Sequence, residues 1–153
     1  MQRLDRDVLG LSGVGAVVWL EGINDFNRTN NAAIDVVEAG MKEVVGRLRT
    51  NIPDIRVIGA TVTSSLGSAA GTAEQNTKRV ALNEFIRSGG LFDAVADFDK
   101  ATVDPQTGGL RAEFVPESTT GGAGDKLHPN RLGYAAMGAS IDLDSLLPKA
   151  GKK

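Results

Sequence analysis

The fold is decided by an apolar run, VGAVVWL, at positions 14–20, which leads directly into the polar turn EGIND at positions 21–25. Because apolar and polar side chains do not alternate within the run, it predicts a strand that is buried on both faces, as in a parallel sheet. Apolar residues then recur at helical spacing over 32–49, and a second apolar strand is expected over 55–62. The first half of the chain is therefore predicted to run strand, helix, strand.

The second half repeats this alternation. Helical spacing returns over 73–88 and ends at a glycine pair, a shorter strand is expected over 92–98, and a last helix over 131–147. A long Gly/Thr/Pro-bearing segment at 99–125 reads as a loop, and a short helix at 2–9 precedes the first strand. The pattern predicts one α/β domain over the whole chain, with a parallel sheet of about three strands and helices packed on it.

Composition narrows the functional classes. Seventeen basic and nineteen acidic residues give a net charge of -2 without a basic stripe, so we expect no nucleic-acid partner. The first residues are too charged for a signal peptide, and the run at 14–20 is too short to cross a bilayer, so the expectation is a cytoplasmic protein without a membrane partner. The chain has no cysteine and no glycine-rich nucleotide fingerprint, and its single histidine fits no catalytic zinc spacing; we expect no metal and no cofactor.

That single histidine lies in the sequence DKLHP at positions 125–129, three residues after Asp125. An imidazole is the side chain that most naturally transfers protons near neutral pH, and a neighbouring carboxylate can orient it. An alternative interpretation is that Asp125 caps a loop and His128 is a surface residue.

A second polar motif, GIND at positions 22–25, follows the first strand and is expected at the same sheet edge as the DKLHP loop. There the amide of Asn24 could donate to a developing oxyanion while His128 acts as general base and Asp125 orients it. The alternative is that Asn24 and Asp25 simply close a turn, since both residue types favour turns.

These two motifs give the chain its resemblance to the SGNH/GDSL-type serine hydrolases, which carry a Gly-x-Asn-Asp block and an Asp-x-x-His-Pro block. The resemblance implies that His128 is the general base, Asp125 its orienting acid and Asn24 an oxyanion donor. Gly22 and Asp25 are assigned to substrate binding. The implied substrates are short acyl esters, and the implied fold is a flavodoxin-like three-layer sandwich.

The chain also departs from that family. The family's nucleophilic serine lies in a Gly-Asp-Ser block after its first strand, and no such tripeptide occurs here. The family sheet has five strands in the order 2-1-3-4-5, so the resemblance implies a truncated form that lacks the first two. The run at 14–20 would then be an exposed edge, and we expect a homo-oligomer that covers it. A secreted origin stays open, because a signal upstream of the missing strands would be absent.

Other serines of the chain are candidates for the nucleophile. Ser64 and Ser65 follow the second strand at its carboxyl end, and Ser68 is a weaker candidate on the same loop; ordinary loop serines are the alternative. Ser12 is set aside, because a nucleophile elbow needs a strand before it and a helix after it, and here that order is reversed.

Three functional interpretations remain open at this point. The first is an esterase that uses a new serine or a serine from a partner chain. The second is a weaker hydrolase in which His128 activates water directly. The third is a catalytically inactive remnant that serves as a binding or structural module.

Overall fold

The computed structural model describes residues 3–148 and has an α/β fold built on a three-stranded parallel sheet. The strands are β1 (Ala16–Trp19), β2 (Arg56–Ala60) and β3 (Ala94–Ala96), in the spatial order β1-β2-β3. The α-helices are α1 (Ile34–Asn51), α2 (Ala73–Ser88), α3 (Phe98–Thr102) and α4 (Arg131–Ala139). A π-helical turn at Asp5–Leu9 precedes β1, and 3-10 turns lie at Ala112–Phe114 and Leu143–Leu146. The predicted fold class and parallel sheet are confirmed.

Helices cover both faces of the sheet because successive side chains of each strand point to opposite sides. Val57 of β2 packs in a cluster with Val44, Val45 and Leu48 of α1. Its neighbour Ile58 packs on the opposite face, in a cluster that includes Met137 of α4. The sheet is therefore the middle of three layers.

The central strand β2 is buried along its whole length, because it has a strand on each side and helices on each face. Within β2, the backbone of Gly59 lies against the ring of Phe92, and a Cβ on Gly59 would be 2.4 Å from Cδ2 of that ring. A side chain at this position would displace the Phe92 ring, which packs against the hydrophobic core.

The prediction that the first strand is buried on both faces is wrong. Val18 is 38% exposed and Leu20 is 40% exposed, and within residues 3–148 the strand β1 pairs only with β2. The cluster around Met137 covers residues of β2 and β3 but includes none of β1. One face of β1 therefore lies open beside its unpaired edge.

The predicted bounds of the third strand and of the segment after it also need correction. The strand expected at 92–98 is only Ala94–Ala96, because the side chain of Asp97 accepts a hydrogen bond from Lys100 N–H and begins α3. The segment at 99–125 is accordingly not a continuous loop. The predicted start of the first helix at residue 2, like the lysine tail at 149–153, lies outside the described residues.

The last helix ends earlier than the sequence indicated. It stops at Ala139 rather than continuing to 147, and Ser140 Oγ donates to the carbonyl of Met137 at 2.7 Å. Asp142 then accepts a hydrogen bond from Asp144 N–H and begins a separate 3-10 turn. Short polar side chains that bond to the nearby backbone compete with the helical hydrogen bonds, and here they end the helix.

Candidate active site

The loop that follows β2, residues 61–72, leaves the carboxyl end of the central strand, the edge where open α/β sheets bind ligands. Its first residues are fixed by buried polar side chains of α2. Asn83 Oδ1 accepts from Val62 N–H at 2.7 Å, and Asn83 Nδ2 donates back to the Val62 carbonyl at 2.9 Å. Arg79 Nη1 donates to the same carbonyl at 2.9 Å. The side chains of α2 thus complete the backbone hydrogen bonding where the sheet ends.

These two residues were missed by the sequence analysis, which read α2 from its apolar spacing alone. Arg79 is 2% exposed and Asn83 is 0% exposed, whereas the apolar Val80 is 43% exposed. The available signal was a polar stripe, since Gln75, Arg79 and Asn83 recur every four positions and all three are buried.

The Gly22–Asp25 turn lies against the start of this loop. Gly22 has a φ of +126°, and a Cβ there would be 2.8 Å from Leu82 Cδ2 and 3.6 Å from Val62 Cγ2, so a glycine is required. Asp25 N–H donates to the Gly22 carbonyl at 3.1 Å, and the fully buried Phe26 anchors the turn in the core. The turn interpretation of this motif is therefore correct for its backbone.

The side chain of Asn24 is nevertheless available. Its backbone carbonyl accepts from Asn30 Nδ2 at 2.9 Å, but its own side-chain amide has no hydrogen-bond partner within residues 3–148. Asn24 is exposed, so this amide can donate to a ligand.

The DKLHP loop brings Asp125 and His128 into direct contact. Asp125 Oδ2 lies 2.6 Å from His128 Nδ1, and Oδ1 accepts from the N–H groups of Leu127 and His128 at 2.9 and 2.8 Å. The partial burial of the carboxyl acts to raise its pKa, but the hydrogen bonds from His128 and Leu127 outweigh this and lower the pKa of Asp125 to about 2. Asp125 is therefore ionised at neutral pH.

An ionised carboxylate only accepts hydrogen bonds, so Nδ1 of a neutral His128 carries the proton and Nε2 keeps its lone pair. Nε2 has no hydrogen-bond partner in the described part of the chain, and the side chain of His128 is 50% exposed. The residues that follow hold the loop in place: Pro129 is buried, and Asn130 accepts from Leu132 N–H at the start of α4. The arrangement presents a proton acceptor to the solvent.

The three candidate serines differ in their surroundings. Ser64 is 0% exposed and its Oγ accepts from Leu66 N–H at 3.1 Å, and Ser65 is 4% exposed. Ser68 lines a cleft of about 430 Å³ between residues 67–70 and residues 124–127, so it shares a cavity with Asp125. Among residues 3–148, no hydrogen bond joins Asn24, Ser64 or Ser65 to His128.

The described residues contain no group of three or more His, Cys, Asp or Glu side chains that could hold a metal ion. Over the same part of the chain, none of the helices has the length and apolar character needed to cross a bilayer.

Comparison with known proteins identifies a family. The model of the GDSL-like lipase/acylhydrolase family matches residues 1–136, a span that contains the Gly22–Asp25 turn and the Asp125–His128 pair. No curated protein matches the chain.

Proposed function

The chain belongs to the GDSL-like lipase/acylhydrolase family, and from this premise we propose that it hydrolyses short acyl esters with His128 as general base. Membership of the family implies a hydrolase of the esterase or lipase type. The observation that carries the assignment to residues is the hydrogen bond between Asp125 Oδ2 and His128 Nδ1, which leaves Nε2 free to accept a proton.

The nucleophile has three possible sources: Ser64 or Ser65, a serine of a partner chain, or water. Both serines are nearly inaccessible, whereas the side chain of His128 is half exposed. These exposures favour water as the nucleophile.

In this reaction, Nε2 takes a proton from water while the hydroxide oxygen bonds to the ester carbonyl carbon. The negative charge that develops on the carbonyl oxygen would be stabilised by the side-chain amide of Asn24. Collapse of the tetrahedral intermediate breaks the bond to the alcohol oxygen, which receives the proton from the imidazolium, and the acid is released. Asp125 stabilises the transient positive charge on the ring.

Hydrolysis of p-nitrophenyl acetate and butyrate by the purified chain tests the proposal. General-base assistance is typically worth about a hundred-fold to ten-thousand-fold, so His128→Ala should lower kcat/KM by a factor in this range. Ser64→Ala and Ser65→Ala should retain the parental rate if water is the nucleophile. Equal rates in the parent and His128→Ala would refute the assignment.

A phosphonate that labels activated serines separates the possible nucleophiles. Mass analysis that finds an adduct on Ser64 or Ser65 would replace water by that serine. An adduct that forms only in an associated form of the chain would indicate a serine supplied by a partner.

The family's Gly-Asp-Ser block is absent from this sequence, which favours a second candidate function, an inactive binding or structural module. Under this alternative the chain would show no ester hydrolysis above that of His128→Ala.

A further inference from the structure

The cleft between residues 67–70 and residues 124–127 adjoins the Asp125–His128 pair. We propose that this cleft binds a carboxylate group carried by the ester substrate, with Lys126 and Ser68 as its main contacts. This inference rests on the proposed function, because it names the substrate class of the same site.

The side chain of Lys126 extends from its own loop, residues 124–127, to the facing loop, residues 67–70. A Cβ on Gly67 would lie 3.3 Å from Cδ and 4.0 Å from Nζ of Lys126, so the lysine side chain lies across the glycine of the facing loop. The ammonium group has no carboxylate partner within residues 3–148. Lys126 also has a φ of +60°, a conformation that non-glycine residues rarely adopt and that is often found at ligand sites. A cation is therefore held at the cleft without a counter-ion.

Ser68 supplies a second unused donor. Its Oγ is buried and has no hydrogen-bond partner among the described residues. Buried hydroxyl groups are rarely left unpaired, and a serine hydroxyl can move among staggered positions by rotation about χ1. A ligand oxygen in the cleft would provide the missing acceptor.

The backbone of the same loop adds further donors. The N–H groups of Ala69 and Ala70 have no acceptor within the described residues. Both residues line the cleft, so these N–H groups are available to an anion bound in it.

Asp125 is the one acidic residue that lines the cleft. It accepts no hydrogen bond from the Lys126 ammonium, the Ser68 hydroxyl or the loop N–H groups. Its two oxygens already accept hydrogen bonds from His128 and from Leu127. The unpaired groups that remain are the ammonium of Lys126, the hydroxyl of Ser68 and the loop N–H groups. All of these groups donate hydrogen bonds and therefore favour an anionic oxygen. A carboxylate on the substrate would supply such oxygens beside the catalytic base.

The test compares two esters that share a leaving group: p-nitrophenyl hydrogen adipate, which carries a carboxylate too distant to attack its own ester readily, and the neutral p-nitrophenyl hexanoate of the same chain length. A charge-assisted contact at Lys126 should give the anionic ester roughly ten-fold higher kcat/KM. In Lys126→Gln the ratio of the two kcat/KM values should fall to near unity, and Ser68→Ala should lower it in part. Lys126→Gly removes the same charge while suiting the positive φ, so an equal loss in both lysine variants excludes a backbone effect.

Lys100→Gln is the matched control, because Lys100 is also an exposed lysine whose ammonium group has no carboxylate partner in the described residues, but it does not line the cleft. The ratio of the kcat/KM values for the two esters in Lys100→Gln should equal that of the parent. A parent without preference for the anionic ester, or a preference that survives in Lys126→Gln, would overturn the inference.

A binding measurement distinguishes failure of this inference from failure of the proposed function. Titration with N-methylsuccinamate, a carboxylate that is not an ester, should shift the NMR amide signals of Gly67 and Gly124, whereas N-methylbutyramide should not. Shifts that are lost in Lys126→Gln support the inference even if no ester is hydrolysed. Ester hydrolysis without any such shift supports the proposed function and refutes the carboxylate site.

Discussion

Asp125 performs two tasks with its two oxygens. Oδ1 closes the turn by accepting hydrogen bonds from the N–H groups of Leu127 and His128, and Oδ2 forms a hydrogen bond with the imidazole Nδ1 of His128. Capping of the loop and contact with the imidazole of His128 are alternatives in the sequence, but in the structure a single carboxylate makes both contacts. The orientation of the His128 imidazole is therefore fixed within one short loop.

This division of tasks predicts the effect of Asp125→Asn. The amide oxygen can replace Oδ1 in the turn, but the amide nitrogen would face Nδ1 and donate to it. The proton of the neutral ring would then move to Nε2, which loses its lone pair as a base. We expect kcat to fall about a hundred-fold to ten-thousand-fold. Ester hydrolysis and the long-range NMR couplings of the ring nitrogens measure the rate and the tautomer.

Asp125→Ala is the companion variant, because it removes both the turn contact and the orienting contact. It should be less stable to urea than Asp125→Asn, which keeps the turn. Parental activity in Asp125→Asn would show that the carboxylate does not orient the base.

At the scale of elements, an ionic network joins α2 to the end of β3 and the start of α3. Arg87 of α2 donates to both carboxylate oxygens of Asp97 at 2.9 and 2.8 Å, and to Asp99 at 3.1 Å. Thr61 Oγ1 donates to Asp97 at 2.9 Å, which connects the network to the loop after β2. The network therefore supports the loop that lines the candidate site.

The same network predicts how stability depends on pH. Burial acts to raise the pKa of Asp97, but its hydrogen bonds with Arg87, Lys100 and Thr61 lower it from 3.8 to about 2. A lowered pKa in the folded state gives stability that is present above the unfolded value and is lost as pH falls through the folded value. Asp97→Asn should therefore lower the free energy of unfolding at pH 7 by about 1 to 3 kcal/mol.

The difference between the parent and Asp97→Asn should shrink as the pH falls from 4 toward 2, and urea unfolding at several pH values measures it. Glu84→Gln is the control on the same helix, since Glu84 bonds to Arg87 through a largely exposed carboxylate. It should change stability little at any pH. A stability difference for Asp97→Asn that is constant with pH would contradict the prediction.

Local interactions explain what the sequence could predict at this scale. The bounds of α2 were predicted as 73–88 and are confirmed, and they are fixed by neighbours in the chain: Thr72 and Gln75 form a capping box, and Gly89 ends the helix. The contact of Asp125 with His128 is equally local, since the two residues are three positions apart. Patterns of nearby residues carry this information directly.

Contacts between distant segments could not be predicted in the same way. Lys126 lies across Gly67, and Asn83 bonds to Val62, only because tertiary packing brings these segments together. The catalytic roles of Asp125, His128, Asn24, Ser64 and Ser65 remain predictions, because they depend on how a substrate binds.

At the scale of the whole molecule, the open side of β1 is a surface that favours association. Within residues 3–148, one edge of β1 has no strand beside it, and Val18 and Leu20 are exposed on the adjoining face. Unpaired strand edges with apolar side chains are templates for strand pairing between chains. We therefore expect the protein to form a homo-oligomer through this edge at micromolar concentrations.

Val18→Lys tests this expectation, because a lysine on an edge strand opposes pairing with a second sheet. Sedimentation velocity should show an associated parent and a shift of Val18→Lys to the monomer. Val36→Lys places the same charge at a valine of α1 that is 62% exposed, and it should associate like the parent. If the parent instead sediments as a single monomeric species throughout the micromolar range, then the edge of β1 does not pair with a second chain. That result would exclude association through β1.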